Sequence, residues 1–169
     1  IMLGYYNDEE ATKNAFVDGY FRTGDLGRID ENGFLYITGR LKNVIVTANG
    51  KNIYPEELET RIGQHDNVEE VLVVASTDRQ GDVVVKAKIF PNLEKIKTAL
   101  GHLPSAEEIT DFVKRVVEDV NKKIPSYKQI KKVEVLSEKL EKTTTQKIKR
   151  FGKNMSDQPQ SGNSEANID

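Results

Sequence analysis

Hydrophobic and polar positions change period several times along the chain, and each change marks an element. Asp8-Glu9-Glu10 ahead of Ala11, Thr12, Ala15 and Phe16 predicts a short capped helix, closed by an Asp18-Gly19 turn. Residues 27–40 then alternate around Glu31-Asn32-Gly33, with Phe34-Leu35-Tyr36-Ile37 on the return, a hairpin signal. Val44-Ile45-Val46 reads as a short strand, and 47–52 has no apolar period and reads as a loop. Pro55 followed by Glu56, Glu57 and Glu59 opens a helix, since proline is preorganised at the first helical position and acids complement the helix dipole.

Two strands follow. Val68 to Ala75 is almost wholly apolar, as in a strand covered on both faces. In Val83 to Phe90, alternation predicts Val85, Ala87 and Ile89 facing a core and Lys86 and Lys88 facing water. Ser105-Ala-Glu-Glu108 is a capping box, and Ile109, Phe112, Val113, Val116, Val117 and Val120 recur at spacings of three and four. That spacing predicts a core helix with Phe112 on its buried face, stopped before Pro125. Val133-Glu134-Val135 is a last short strand, and residues 154–169 are expected to be a disordered tail. The order ββ-α-ββ-α-β predicts an α+β fold: a small mixed, mostly antiparallel sheet packed with helices, preceded by a β-hairpin. Residues 1–42 carry too little apolar content for a core of their own.

Composition narrows the chemistry. The 169 residues are 37% hydrophobic and 31% charged, enough for a core in a soluble domain. With no Cys there is no disulfide framework, thiolate metal site or cysteine nucleophile, and two His argue against a histidine-rich metal centre. The longest apolar run, Val71 to Ala75, is far too short to span a bilayer. An opening Ile1 without a basic-then-apolar leader is read as a piece of a longer chain with no secretory signal. The net charge of −2 hides a block, Lys122 to Lys153, that carries eleven Lys/Arg against three acids. Such a block is either a solvated lysine-rich face or a surface for a polyanion. Few aromatics accompany it, which argues against nucleic acid.

Three separated segments carry a resemblance. Gly4-Tyr-Tyr-Asn-Asp-Glu-Glu-Ala-Thr12 with Gly19-Tyr-Phe-Arg-Thr-Gly-Asp-Leu-Gly27 resembles the last motifs of the large domain of adenylate-forming (AMP-binding) enzymes. Gly39-Arg-Leu-Lys-Asn-Val-Ile45 with Gly50-Lys-Asn-Ile-Tyr-Pro-Glu-Glu-Leu-Glu59 resembles their interdomain hinge and the loop after it. Lys142-Thr-Thr-Thr-Gln-Lys-Ile-Lys-Arg150 resembles their C-terminal lysine motif. The flavour is that of bacterial long-chain fatty-acid–CoA ligases, from Asn49-Gly-Lys-Asn-Ile-Tyr-Pro55 and the Glu-Lys-Thr before the lysine motif.

The resemblance implies an ATP-dependent acyl-CoA synthetase that joins a carboxylic acid to AMP and then to CoA, with ATP and CoA as substrates. Residues 1–42 would be the tail of the large N-terminal domain with the hinge, and 43–153 the small mobile C-terminal domain. It implies Lys147 as the lysine bridging substrate carboxylate and α-phosphate. Asp25 would take the ribose diol, Arg40 the nucleotide, Lys42 the hinge, and Gly50 a turn facing the pantetheine of CoA. Read without the resemblance, Asp25 and Gly50 are turn residues and Arg40, Lys42 and Lys147 surface cations. Gln146 departs from the pattern, standing where most relatives have Gly, and Glu141 stands where many have Pro. The phosphate loop, acid pocket and magnesium site would lie outside this chain, which is therefore expected to hold no metal and to be inactive alone. The expected partners are the chain's own N-terminal domain, ATP, CoA and a carboxylic acid, read as a fatty acid. No nucleic acid and no membrane span are expected, peripheral membrane contact is left open, and the location is expected to be cytoplasmic. The alternatives are an aryl-acid ligase, a peptide-synthetase adenylation domain, or a basic nucleic-acid-binding module.

Overall fold

The computed structural model describes residues 2–47, 49–155 and 164–167. They divide into two units, Ile1–Asn43 and Val44–Asp169.

In the first unit, Asp8 caps α1 (Glu9–Ala15) by accepting the Ala11 N–H at 2.8 Å. Strands β1 (Phe16–Val17) and β2 (Tyr20–Phe21) form a minimal hairpin, with the Phe16 and Phe21 rings tilted 5.5 Å apart. The longer hairpin expected from the alternation pairs β3 (Asp25–Ile29) with β4 (Leu35–Arg40). Asp30 builds its turn: one carboxylate oxygen accepts the N–H groups of Asn32 and Phe34, both at 2.9 Å. The Phe34 bond, first among these contacts, holds the Asp30 carboxyl below its ordinary pKa. Among the described residues of this unit no hydrophobic side chain is buried, and Leu3, Tyr6, Tyr20 and Leu35 stand largely in solvent.

The second unit begins with β5 (Ile45–Val46) and β6 (Asn52–Ile53), paired antiparallel. The loop expected through Asn52 is thus a tight turn followed by a strand. Helix α2 (Pro55–Gly63) follows, then β7 (Val68–Thr77) and β8 (Val83–Pro91). Two helices, α3 (Leu93–Leu100) and α4 (Ala106–Asn121), lead to β9 (Ile130–Val135). A last strand, β10 (Ser164–Asn167), closes the sheet order β10-β9-β8-β7, in which only β8 and β9 run parallel. This is the mixed, mostly antiparallel α+β arrangement that the pattern predicts.

One face of the sheet makes the main core. Leu58 and Ile62 of α2 and Val113, Val117 and Val120 of α4 bury against Val73, Val85, Ala87, Ile89, Ile130 and Val133. Each such Leu, Ile or Val side chain contributes about 1.5–3 kcal/mol on leaving water, and Ala87 less. The Ser105 capping box forms in full, fixing where α4 starts.

Four expectations need correction. The pattern predicts no helix between β8 and α4, yet α3 forms there: Asn92 caps it through the Lys95 N–H, and Gly101 ends it at φ 77°. Phe112 is half-buried under the Arg115 guanidinium, 5.0 Å from its ring centre, and lies outside the core. It sits on the flank of the Val113–Val117 stripe, where an aromatic can lie along the surface. Lys86 and Lys88 do not face water: both are buried, on the face opposite Ala87, where Glu134 pairs with them at 3.2 and 3.6 Å. In the stretch expected to be disordered, Asn154 is buried in the 3-10 turn Gly152–Met155 and Ser164–Asn167 pairs with β9, while 156–163 and 168–169 lie outside the described residues.

The core assignment gives a direct contrast. Leu58→Ala should cost about 2–5 kcal/mol and Phe112→Ala less than half as much as Leu58→Ala, by urea denaturation of the 169-residue chain.

Candidate functional site

The first unit brings two of the expected residues into contact. Asp25 and Arg40 are paired across β3 and β4. Arg40 Nε lies 2.7 Å from Asp25 Oδ1, and Arg40 Nη1 donates to the Thr23 carbonyl at 3.0 Å. Gly24, at φ 75°, turns the chain so that Asp25 N–H reaches Thr23 Oγ1 at 3.1 Å. Both charged groups remain partly exposed, so a diol can still hydrogen-bond to the carboxylate and a phosphate oxygen to the guanidinium. Lys42 is exposed in the 3-10 turn Leu41–Asn43, one residue before the boundary between the units.

Gly50 lies in the β5–β6 turn. Its N–H donates to the Thr47 carbonyl at 2.9 Å, and its φ is 69°. A Cβ there would meet nothing within 4 Å, so the requirement for glycine is conformational and not one of space.

Lys147 sits at the end of a second turn of the same unit. Lys142 and Ile148 bridge antiparallel, Thr143 N–H donates to the Lys147 carbonyl at 2.8 Å, and Lys147 N–H returns to Thr143 Oγ1 at 3.2 Å. The turn closes through Gln146, whose N–H reaches the Thr143 carbonyl at 2.9 Å with φ at 63°. A left-handed conformation is the reason glycine suits this position, and Gln146 holds it as a side chain without β-branching. The Lys147 side chain is exposed.

The base of this hairpin is tied to the sheet by residues that sequence reasoning missed. Leu140 and Ile148 pack on Leu72 and Val74, on the second face. Glu70 of β7, whose side chain is 5% exposed, accepts the Leu140 N–H at 2.7 Å and pairs with Lys142 Nζ at 2.5 Å. β7 is an edge strand, and Val73 has its outward N–H and carbonyl both taken. Glu59 of α2 accepts the N–H at 2.7 Å, and Arg150 donates to the carbonyl at 3.2 Å while pairing with Glu59. Burial is the leading influence on the Glu59 carboxyl and pushes its pKa up, against the pull of Arg150. Asn154 bonds the Glu141 N–H and carbonyl and the Lys149 carbonyl, at 2.8–3.0 Å. A signal existed for Glu70: a carboxylate in a run that is otherwise apolar needs a partner.

Among the described residues no group of three or more His, Cys, Asp or Glu is placed to hold a metal ion, and no helix is long and apolar enough to cross a membrane.

Comparison with known proteins bears on these hairpins. Residues 42–154 match the family model of the AMP-binding enzyme C-terminal domain. The chain is 34% identical over 164 residues to a long-chain-fatty-acid–CoA ligase, FadD15, of Mycobacterium tuberculosis, a match that covers 89% of this chain and 27% of the relative. It is 46% identical over 92 residues to a 2-succinylbenzoate–CoA ligase of Listeria innocua, covering 54% of this chain and 20% of the relative. The solved O-succinylbenzoate CoA synthetase of Bacillus subtilis in complex with AMP aligns with a TM-score of 0.63 at 32% identity, over 88% of this chain and 27% of that one. The chain spans about a quarter of the length of these proteins.

The positive φ at Gln146 yields a test. Gln146→Gly should leave stability within about 0.5 kcal/mol, because relief of the left-handed conformation offsets the entropy of glycine in the unfolded chain. Gln146→Ile should lose about 1–2 kcal/mol, since a β-branched residue resists that φ. Urea denaturation of the three proteins compares them.

Proposed function

The chain belongs to the AMP-binding enzyme C-terminal domain family, and from that premise we propose that it is the C-terminal part of an ATP-dependent acid–CoA ligase whose acid is a fatty acid. The observation that carries the reading is the Lys147 hairpin: an exposed ammonium on a turn whose base is fixed to a packed sheet. A compact cation held this way suits transfer at phosphorus, where charge develops and little covalent help is needed. In the first half-reaction a carboxylate oxygen of the acid attacks the α-phosphorus of ATP and pyrophosphate leaves. Lys147 bridges the attacking carboxylate and the α-phosphate oxygens. Asp25 takes the ribose hydroxyls, and Arg40, already turned toward it, orients that carboxylate and contacts the nucleotide. In the second half-reaction the CoA sulfur attacks the acyl carbon and AMP leaves, with the Gly50 turn facing the pantetheine arm.

Lys42 is the hinge between these arrangements, next to the boundary of the two units. The exposed apolar side chains of the first unit support a further N-terminal domain as its partner. Magnesium would be bound there and not by the residues described. The fatty-acid reading draws on the Asn49–Pro55 and Glu141–Thr143 segments and on the mycobacterial relative. The Listeria relative favours an aryl-containing acid as the second reading. The reading assigns the reaction to the cytoplasm, where ATP and CoA are both available, and takes no nucleic acid as partner.

The test uses the enzyme that carries this chain at its C-terminus, with the two half-reactions assayed apart. Lys147→Ala should slow acyl-adenylate formation about a hundred- to a thousandfold, the loss typical of one preorganised charge contact. Thioester formation from supplied acyl-adenylate should stay within about threefold. Equal slowing of both steps would make Lys147 structural. Pyrophosphate exchange with palmitate and with 2-succinylbenzoate separates the two acid readings.

A further inference from the structure

We propose that Glu70 and Glu59 are positioning residues for Lys147, one for each arm of its hairpin. The inference rests on the reading that Lys147 serves adenylate formation. The hairpin has a single bridge and a few turn bonds of its own, and an isolated two-stranded ribbon of that size is at best marginally stable in water. Its order must therefore come from what holds its arms.

The incoming arm is held by Glu70, through the Leu140 N–H and Lys142 Nζ. The outgoing arm is held by Glu59, through Arg150, which also takes the Val73 carbonyl. These contacts differ in kind from the exposed Lys139–Glu69 and Lys153–Glu138 pairs near the same segment, because exposed pairs fix little. Glu70 and Glu59 are mostly withdrawn from water, at 5% and 17% side-chain exposure. A buried carboxylate stripped of its partners is costly, so these bonds are enforced and the arms are held in one register. Both carboxylates come from elements of the main core, β7 and α2, so the placement of Lys147 is set by the sheet and not by its own loop.

The experiment makes Glu70→Gln and Glu59→Gln, each alone and combined with Lys147→Ala, in the enzyme carrying this chain. Either change should slow acyl-adenylate formation about ten- to a hundredfold, the scale of a misplaced catalytic group, with thioester formation from supplied acyl-adenylate nearly unchanged. Neither should slow adenylate formation further once Lys147 is Ala, because the carboxylates act through it. Arg150→Lys keeps a cation beside Glu59 and so spares the fold, but cannot hold Val73 and Glu59 together; it should slow the same step.

In the 169-residue chain, Glu70→Gln should lower the heteronuclear NOE of the Thr143–Ile148 amides while those of α4 stay ordered. The inference is overturned if the hairpin amides stay ordered and the adenylation rate stays at wild type. It is overturned also if both half-reactions slow equally, or if the effects of Glu70→Gln and Lys147→Ala simply multiply. Should Lys147→Ala alone slow nothing, the functional reading fails, and the amide measurement still decides whether Glu70 orders the hairpin.

Discussion

The charged second face of the sheet is the constraint on which the candidate site depends. The first face is an ordinary apolar core, closed by α2 and α4. The second carries Lys86, Lys88, Glu134 and Glu70 among Leu72 and Val74, and all of these are buried. Charges there must be both covered and paired, and the cover has to come with hydrogen-bond donors and counter-charges in the right places. The segment after β9 supplies them: Leu140 and Ile148 fill the apolar gap, while the Leu140 N–H and Lys142 answer Glu70. A purely apolar cover would be free to slide, whereas bonds to a buried carboxylate fix one register.

The same segment carries Lys147, and this gives the candidate site a fixed root with an exposed tip. Val73 shows how far the coupling goes. As an edge residue it would leave a bare N–H and carbonyl, which edge strands must hide. Glu59 takes one, Arg150 takes the other, and the two side chains pair with each other. One edge residue thus joins helix, sheet and lysine hairpin. Asn154 adds a third tie through its bonds to Glu141 and Lys149. Under the proposed function the Lys147 ammonium enters a cleft outside this chain in one orientation and leaves it in the other, which asks for a stiff scaffold behind it and a hinge elsewhere, the role proposed for Lys42.

Much of this was legible in the sequence, in proportion to how local the cause is. The Asp8 cap, the Gly33 turn, the Pro55 helix start and the Ser105 capping box are decided by a few neighbouring residues, and each formed as read. The lysine motif and Thr-Gly-Asp were recognisable as motifs, although only the folded hairpin shows Arg40 bonded to Asp25. Two misreadings share one cause: a lysine that alternates with valine is assigned to water, and Lys86 and Lys88 are not there. Alternation reports which face a residue is on, and cannot say whether the second face is covered when the cover, built around Leu140 and Ile148, lies far downstream in the chain. Glu59 and Glu70 were passed over for the same reason, since their partners, Arg150 and Lys142, are separated from them by most of the domain. Asn154 looked like the first residue of a featureless tail because its value is in three hydrogen bonds and not in apolar area.

Native-state amide hydrogen exchange on the 169-residue chain tests most directly the claim that the Lys147 hairpin is an outgrowth of the sheet. The account predicts that the amides of Val73, Leu140 and Lys149, bonded to Glu59, Glu70 and Glu141, exchange only as slowly as the sheet opens, while Thr144 and Thr145 at the tip exchange quickly. Rapid exchange at Leu140 and Lys149, at the pace of the tip and with the β8 amides still protected, would contradict it.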